Sequence, residues 1–449
     1  MTPPNRNKLI SEQVAAVNSG TTSESALAAT VRTDILRYEA KLKAWVAFND
    51  LDTEVREATP TASESSSTRN TLPLRGISVG IKDIIDVAGL PTRCGSPVTP
   101  ATPAKTDAAC VTRFRELGAV IQGKTVTTEF GYFNPGPTVN PWNHQHTPGG
   151  SSSGSAAAVG ANTIALTLGT QTAGSLTRPA SFCGAAGMVL ATGSTSMAGI
   201  SGLSETLDSL GLLTRNIDDL DYVYSAFTEL EYRPEPKVED VTLHLWDGSD
   251  LLPMAPQMNS LLAELPRLAA DLGLGYHPLD WSDHINTLVD DHRIIMGYEA
   301  SRTMADTFRE HRDELSPQLQ ELLSGGAEVD ELSYREALIR RDISRRSLER
   351  LLGDSGVIAG PAAAGPAPEC SQGTGSPDLS RAWQLLGLPV VIVPGAKTTS
   401  GLPLGVQLVG LPGSEKRLLN LGRRLEGLLR RVPSFSQTTS NPTLKDLTW

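Results

Sequence analysis

Residues 169–184 read Gly169-Thr-Gln-Thr-Ala-Gly-Ser175-Leu-Thr-Arg-Pro-Ala-Ser-Phe-Cys-Gly184, and residues 148–155 read Pro148-Gly-Gly-Ser-Ser-Ser-Gly-Ser155. An apolar stretch, Ala156 to Leu168, separates the two. A glycine before a serine allows a sharp turn that leaves successive backbone N–H groups free to converge on a developing negative charge. Both stretches therefore predict turns, joined by a packed helix and strand, with a serine hydroxyl beside an anion cradle.

A third segment supplies a candidate base. In residues 76–82, apolar residues alternate with small ones, and this period of two predicts a half-buried strand that ends at Lys82. An amine at the end of a strand, in an apolar setting, can lose its proton near neutral pH. None of the seven histidines has a strand-to-turn context beside a nucleophile motif. The residues therefore favour a Ser–Ser–Lys set over a Ser–His–Asp set.

Composition narrows the class of protein. A chain of 449 residues with 39% hydrophobic and 20% charged residues is ordinary for a globular enzyme. The net charge of −11 opposes binding to nucleic acid, which needs a basic surface. Four scattered cysteines without CxxC spacing indicate neither a zinc site nor a disulfide framework. The absence of a long apolar run and of a secretory signal predicts a cytoplasmic protein with no membrane contact.

The chain divides into two parts by pattern. Residues 1–70 predict a helical segment and a polar linker, and residues 71–449 predict one domain in which strands alternate with helices. Charged helical patterns over about 233–355, which include 294–315 and 331–352, predict a mostly helical insertion on the substrate side. A further helix is expected over 415–429. The N-terminal helices carry five candidate core residues: Leu27, Val31, Ile35, Leu36 and Leu42.

Together these motifs resemble the amidase signature family. The resemblance extends to Asn140-Pro-Trp-Asn143, to Ala382-Trp-Gln-Leu-Leu-Gly-Leu-Pro389 and to Gly401-Leu-Pro-Leu-Gly-Val-Gln-Leu-Val-Gly410. Only the combination of motifs, in this order, is specific. The resemblance implies a single large α/β/α domain, in which helices cover both faces of a mixed, twisted central sheet.

The resemblance also implies roles for individual residues. Ser175 is the expected nucleophile, Ser151 the bridging serine held in a cis peptide, and Lys82 the base. The expected oxyanion hole consists of the backbone N–H groups of Thr172, Ala173 and Gly174. Three other residues are expected to support the site: Ser152, Arg178 and Asp83. For Arg178 we expect a structural role, with substrate contact as the alternative. We also expect Asp83 to hold the lysine loop and Ser152 to bond Lys82.

Four positions depart from the family pattern. Gln171 stands where an aspartate is usual, Ala173 where glycine is common, and Val189 with Leu190 where a lysine–proline pair is typical. These departures leave the three catalytic candidates in place. Because of these departures, the resemblance does not predict the substrate preference or the turnover rate.

The predicted function is the hydrolysis of a carboxylic amide of a small molecule, without cofactor or metal. The alternatives are a relative that transfers the acyl group to an amine and an amidotransferase-type subunit. A G-x-S-x-G reading with Ser152 as nucleophile lacks the apolar strand that this motif needs before it. A homodimer is one option for the assembly. Five residues are the predicted substrate pocket: Phe130, Tyr132, Phe133, Tyr298 and Glu299.

Overall fold

The structure, a computed structural model, describes residues 8–58, 72–234 and 241–436. The polar linker predicted before residue 71, over 59–70, lies outside these ranges. The α-helices are α1 (Ile10–Asn18), α2 (Glu24–Leu42), α3 (Leu51–Ala58), α4 (Ala109–Glu116), α5 (Ser153–Gly160), α6 (Thr177–Cys183), α7 (Ile217–Thr228), α8 (Pro256–Asp271), α9 (Ser282–Thr303), α10 (Ala305–His311), α11 (Pro317–Glu328), α12 (Glu331–Leu352), α13 (Asp378–Leu385) and α14 (Glu415–Leu429).

Within the described ranges, eleven strands form one mixed sheet in the order β1-β3-β2-β4-β6-β5-β10-β11-β9-β7-β8. The strands are β1 (Trp45–Phe48), β2 (Ser78–Lys82), β3 (Val120–Thr125), β4 (Leu166–Gln171), β5 (Ala186–Val189), β6 (Ser209–Thr214), β7 (Thr242–Leu245), β8 (Gly275–Pro278), β9 (Gly356–Pro361), β10 (Val390–Lys397) and β11 (Pro403–Val409). β2 pairs in parallel with both β3 and β4. The other parallel pairs, β7 with β8 and with β9, lie at the far end of the sheet.

Apolar side chains cover both faces of this sheet. Along β10, Val391 and Val393 belong to one core cluster, whereas Val390 and Ile392 belong to another. Successive side chains of a strand point to opposite faces, so the two clusters lie on opposite sides of the sheet. α14 packs on β10 within the first cluster, and α5 and α6 contribute to the second. The predicted α/β/α architecture is therefore confirmed.

Several elements lie where the sequence predicts them. β2 ends at Lys82, α4 is followed directly by β3, and both α12 and α14 have the predicted bounds. The N-terminal segment differs, because residues 45–48 form β1, which pairs with β3 of the main sheet. Leu36 is 54% exposed although its neighbour Ile35 is buried. Adjacent residues of a helix point about 100° apart, so only one of this pair faces the core.

The helical segment also differs in detail. The described residues between 233 and 355 are mostly helical, but β7 and β8 extend the central sheet at its edge. The helix expected over 294–315 is instead α9, which begins at Ser282 and ends at Thr303, followed by the shorter α10. None of the helices in the described ranges is both long and apolar enough to cross a membrane.

Candidate active site

The candidate site lies at the end of β2 and β4. These two strands are parallel neighbours, so their carboxyl ends lie at the same edge of the sheet, where open α/β folds place their sites. Lys82 ends β2, and Thr170 is close to the end of β4. Ser151 lies in the turn before α5, and Ser175 lies between β4 and α6. Three separate segments of sequence therefore meet at one point.

Lys82 contacts Ser151 directly. Its Nζ donates to Ser151 Oγ at 2.7 Å and to Thr170 Oγ1 at 2.7 Å. The side chain has no exposed surface, and this burial lowers the pKa of Lys82 to about 7, against the opposing charge of Asp208. The Gly150–Ser151 peptide is cis, as the resemblance predicted. The amine can thus be neutral at physiological pH while it holds the Ser151 hydroxyl.

Ser175 and Ser151 line the same narrow cavity, and Ser175 is 8% exposed. The Ser152 N–H donates to the Ser175 carbonyl at 3.0 Å, which ties the two serine loops together. Within the described part of the chain, no hydrogen bond uses the backbone N–H groups of the three predicted oxyanion donors, Thr172, Ala173 and Gly174, or that of Ser175 itself. Buried N–H groups are rarely left unpaired. These four donors are therefore available to an anion beside the Ser175 hydroxyl.

Gln171 holds the nucleophile loop through its amide oxygen. This oxygen accepts from the backbone N–H groups of Leu176 and Thr177, both at 3.0 Å, and from Thr177 Oγ1 at 2.9 Å. The amide nitrogen donates to Gln384 Oε1 at 3.0 Å. A neutral amide pair therefore replaces the charge of the aspartate that is usual in the family. Val189, which stands at another position that departs from the family pattern, is a buried core residue.

Two residues outside the predicted set hold Thr172. Its hydroxyl donates to the partly buried carboxylate of Asp208, which also accepts from the N–H groups of Leu203 and Ser204 at 2.8 and 3.0 Å. His292 Nε2 bonds the Thr172 carbonyl at 2.8 Å. A carbonyl oxygen can only accept, so Nε2 carries the proton.

The chain of contacts continues to an arginine. His292 Nδ1 accepts from Arg381 Nη1 at 2.8 Å. Burial, reinforced by the Arg381 charge, lowers the pKa of His292 well below its usual value, so the ring is neutral. The peptide that carries the Thr172 carbonyl also carries the Ala173 N–H. Because hydrogen bonds in series polarise one another, this contact makes the Ala173 N–H a stronger donor.

The three supporting residues have separate contacts. Ser152 Oγ donates to the Thr170 carbonyl at 3.2 Å, not to Lys82 as we expected. Asp83 pairs with the buried Lys124 at 2.9 Å, which anchors the segment after β2. Arg178 Nη2 donates to the Gly150 carbonyl at 2.8 Å, next to the cis peptide.

The structure divides the predicted pocket residues. Tyr132 and Phe133 line the cavity beside Ser175, whereas Phe130, Tyr298 and Glu299 do not. Phe130 packs against the core clusters, and Glu299 accepts hydrogen bonds from Ser204, Thr206 and Tyr334. The carboxylate of Glu299 therefore fixes a loop rather than facing the cavity. Its partners are more than ninety residues away or on another helix, which no local pattern reveals.

Sequence reasoning missed further lining residues: Leu203, Met296, Thr374, Pro377 and Arg381. The one available signal was at Arg381, which directly precedes the quoted motif beginning at Ala382. Asp208 had a weaker signal, as an acidic residue immediately before the buried strand β6. No three His, Cys, Asp or Glu side chains converge on a possible metal site in the ranges that the structure describes.

Comparisons with known proteins agree with this geometry. The sequence profile of the Amidase family matches residues 29–242. A glutamyl-tRNA(Gln) amidotransferase subunit of Oleidesulfovibrio alaskensis is 30% identical over 482 residues, covering 94% of this chain and 98% of the relative. A crystal structure of an amidase superposes with a TM-score of 0.81 at 26% identity, covering 94% of this chain and all of the other.

A second solved structure shares the fold. It is described as an unexpected vestigial protein complex that reveals the evolutionary origins of an s-triazine catabolic enzyme. Its TM-score is 0.82 at 24% identity, with coverage of 94% of this chain and 98% of the other. The fold and these relatives define an enzyme of the class that acts on amide C–N bonds. The chain belongs to the amidase signature family.

Proposed function

We propose that this protein hydrolyses a carboxylic amide of a small molecule through an acyl-enzyme on Ser175. The observation that carries the proposal is the 2.7 Å contact between Ser151 Oγ and Lys82 Nζ, a fully buried amine whose pKa is lowered to about 7. Ser175 lines the same cavity. A neutral amine, a relaying hydroxyl and an attacking hydroxyl are the groups that such a reaction requires.

The reaction proceeds by two proton relays. Lys82 takes the proton of Ser151 while Ser151 takes that of Ser175, and Ser175 Oγ bonds to the amide carbon. The carbonyl π bond breaks, and the N–H groups of the loop Thr172, Ala173, Gly174 and Ser175 stabilise the oxyanion. Collapse of this intermediate breaks the C–N bond, and the leaving amine receives the proton from Ser151 as Lys82 returns its own. Water then repeats the sequence on the ester and releases the acid.

Alanine substitutions test the assigned roles. Ser175→Ala and Lys82→Ala are each expected to reduce kcat by at least about 10⁴-fold, because each removes a member of one proton-transfer unit. Circular dichroism and the Tm of each variant show whether it is folded. The assay measures ammonia or amine released from a panel of aliphatic and aryl amides. A folded variant that keeps near-normal kcat on any accepted amide contradicts the role given to that residue.

A second candidate function is that of an amidotransferase component. The relative from Oleidesulfovibrio alaskensis, matched over nearly its whole length, favours it. The acidic charge of −11 opposes direct contact with RNA. Turnover by the purified chain alone, with water as the acyl acceptor, supports the hydrolase. Turnover that appears only with a co-purifying second protein supports the amidotransferase, and turnover that needs an added amine supports acyl transfer.

A further inference from the structure

Helix α12 carries a row of apolar side chains on its solvent side. Leu332, Ile339 and Ile343 are 68%, 59% and 50% exposed. They are seven and four residues apart, and an α-helix has about 3.6 residues per turn, so the three side chains lie in one line along the helix. This spacing is typical of helices that pair with one another, whereas most surfaces carry their exposed apolar residues singly. These three residues form the α12 stripe.

Charged side chains flank the α12 stripe in a mirrored order. Glu336 lies three and seven residues before the two isoleucines, and Arg346 and Arg350 lie three and seven residues after Ile343. All three charged residues are exposed. Glu336 has a long contact of 3.7 Å with Arg340. Among the described residues, neither Arg346 nor Arg350 has a side-chain hydrogen-bond or ion-pair partner. The row is therefore acidic before its apolar centre and basic after it.

An antiparallel second copy of the helix fits this pattern. When Ile339 of one copy lies beside Ile343 of the second, two-fold symmetry brings four isoleucines together at the centre. The same register places Glu336 against Arg346 of the second copy, on both sides of the centre. A parallel pairing would instead place each of these charges against its own like charge, which is repulsive. The order of charges along α12 thus selects the antiparallel arrangement.

We propose that two copies of this chain associate through α12, in an antiparallel arrangement centred on the α12 stripe. In this register Leu332 covers the aliphatic stem of Arg350 of the second copy, which extends the apolar contact to both ends. A two-fold contact of this kind uses the same surface on both copies, so assembly ends at the dimer. One helix pair is a small contact, and we therefore expect a reversible dimer with a Kd of about 1–10 µM.

Dilution of the full chain tests the association. Sedimentation velocity over about 0.1–100 µM should show a wild-type mass that rises from one chain to two, because dimerisation depends on concentration. Ile339→Glu should raise the Kd at least about 100-fold, since it brings two carboxylates into the apolar centre. Leu36→Glu is the matched control, because Leu36 is 54% exposed but lies on α2. The control should leave the Kd within about threefold of the wild type.

A charge exchange tests the antiparallel register. Glu336→Arg alone opposes two arginines on each side of the centre and should raise the Kd by about tenfold or more. Glu336→Arg combined with Arg346→Glu exchanges the two charges and should restore the Kd to within about threefold of the wild type. A parallel contact predicts no such restoration, since each charge there faces its own counterpart. Circular dichroism and the Tm show whether each variant is folded.

Other results overturn the proposal. A wild type that stays monomeric over the whole concentration range shows that the α12 stripe does not bind a second copy. A dimer that tolerates Ile339→Glu has its contact on another surface, and a failed charge exchange excludes the antiparallel register. A monomer whose α12 stripe binds lipid vesicles or a different protein assigns this face to that occupant instead. None of these measurements requires turnover, so they are independent of the proposed hydrolysis.

Discussion

Two buried lysines at the edge of the sheet show how one contact decides a chemical role. Lys82 and Lys124 both have no exposed surface. Lys124 forms an ion pair with the carboxylate of Asp83 at 2.9 Å. Lys82 has two hydroxyl groups as its hydrogen-bond partners, so burial dominates and lowers its pKa to about 7. This lowered pKa allows Lys82 to take a proton near neutral pH.

The lowered pKa of Lys82 predicts the pH dependence of catalysis. The amine acts as a base only when it is neutral, so activity should be present above pH 7 and should be lost as the pH falls through about 7. The measurement is kcat/KM between pH 5.5 and 9, under conditions in which the Tm shows the protein to be folded. Lys82→Arg, whose guanidinium stays protonated throughout, should remain inactive at every pH. A flat wild-type profile would contradict a lysine base.

At the scale of elements, α9 connects the helical segment to the catalytic loop. His292 on this helix bonds the carbonyl of Thr172, and Met296 of the same helix lines the cavity. A segment that lacks the serine motifs thereby contacts the loop that precedes Ser175. The position of one helix decides whether the Ala173 N–H is polarised and oriented.

His292 is therefore predicted to act as a positioning residue. His292→Leu leaves the Thr172 carbonyl unpaired, and we expect kcat to fall by roughly 10- to 100-fold with little change in KM, because the oxyanion forms only after binding. His292→Gln can still donate to this carbonyl and should recover part of kcat. His284→Gln is the control, since His284 lies on the same helix but contacts Ser344. A rise in KM as large as the fall in kcat would contradict the assignment. So would a kcat of His292→Gln no higher than that of His292→Leu.

At the scale of the molecule, α9 is held in place by a close helix crossing. A Cβ on Gly326 of α11 would lie 1.9 Å from the Gly297 carbonyl oxygen of α9. No side chain fits there, so the backbones of the two helices touch. The neighbouring Gly325 faces open space, with no atom within 4 Å of its Cβ position.

This pair of glycines gives a matched prediction for stability. Gly326→Ala should lower the free energy of unfolding by about 1–3 kcal/mol, since the helices must separate, and should also lower kcat by moving His292. Gly325→Ala should raise the free energy of unfolding by roughly 0.5–1 kcal/mol, because alanine favours helix and meets nothing. Urea unfolding and kcat of both variants provide the measurement. Equal effects of the two substitutions would show that the crossing does not position α9.

Local pattern determined a large part of this protein. The period-two alternation before Lys82 marked β2, and the glycine–serine turns marked the loops of Ser151 and Ser175, because backbone conformation depends mainly on neighbouring residues. The resemblance then supplied the expectation that these segments meet. The bounds of α12 and α14 also followed from their own periodicity.

Tertiary structure alone decided which distant residues complete the site. Asp208, His292 and Arg381 reach the catalytic loop from three other segments, through sheet order and helix packing that no local period encodes. Burial decided the rest, since the low pKa of Lys82 exists only where folding removes water. Sequence thus determined the groups that can react, and the packing of the whole chain determined their protonation and their partners.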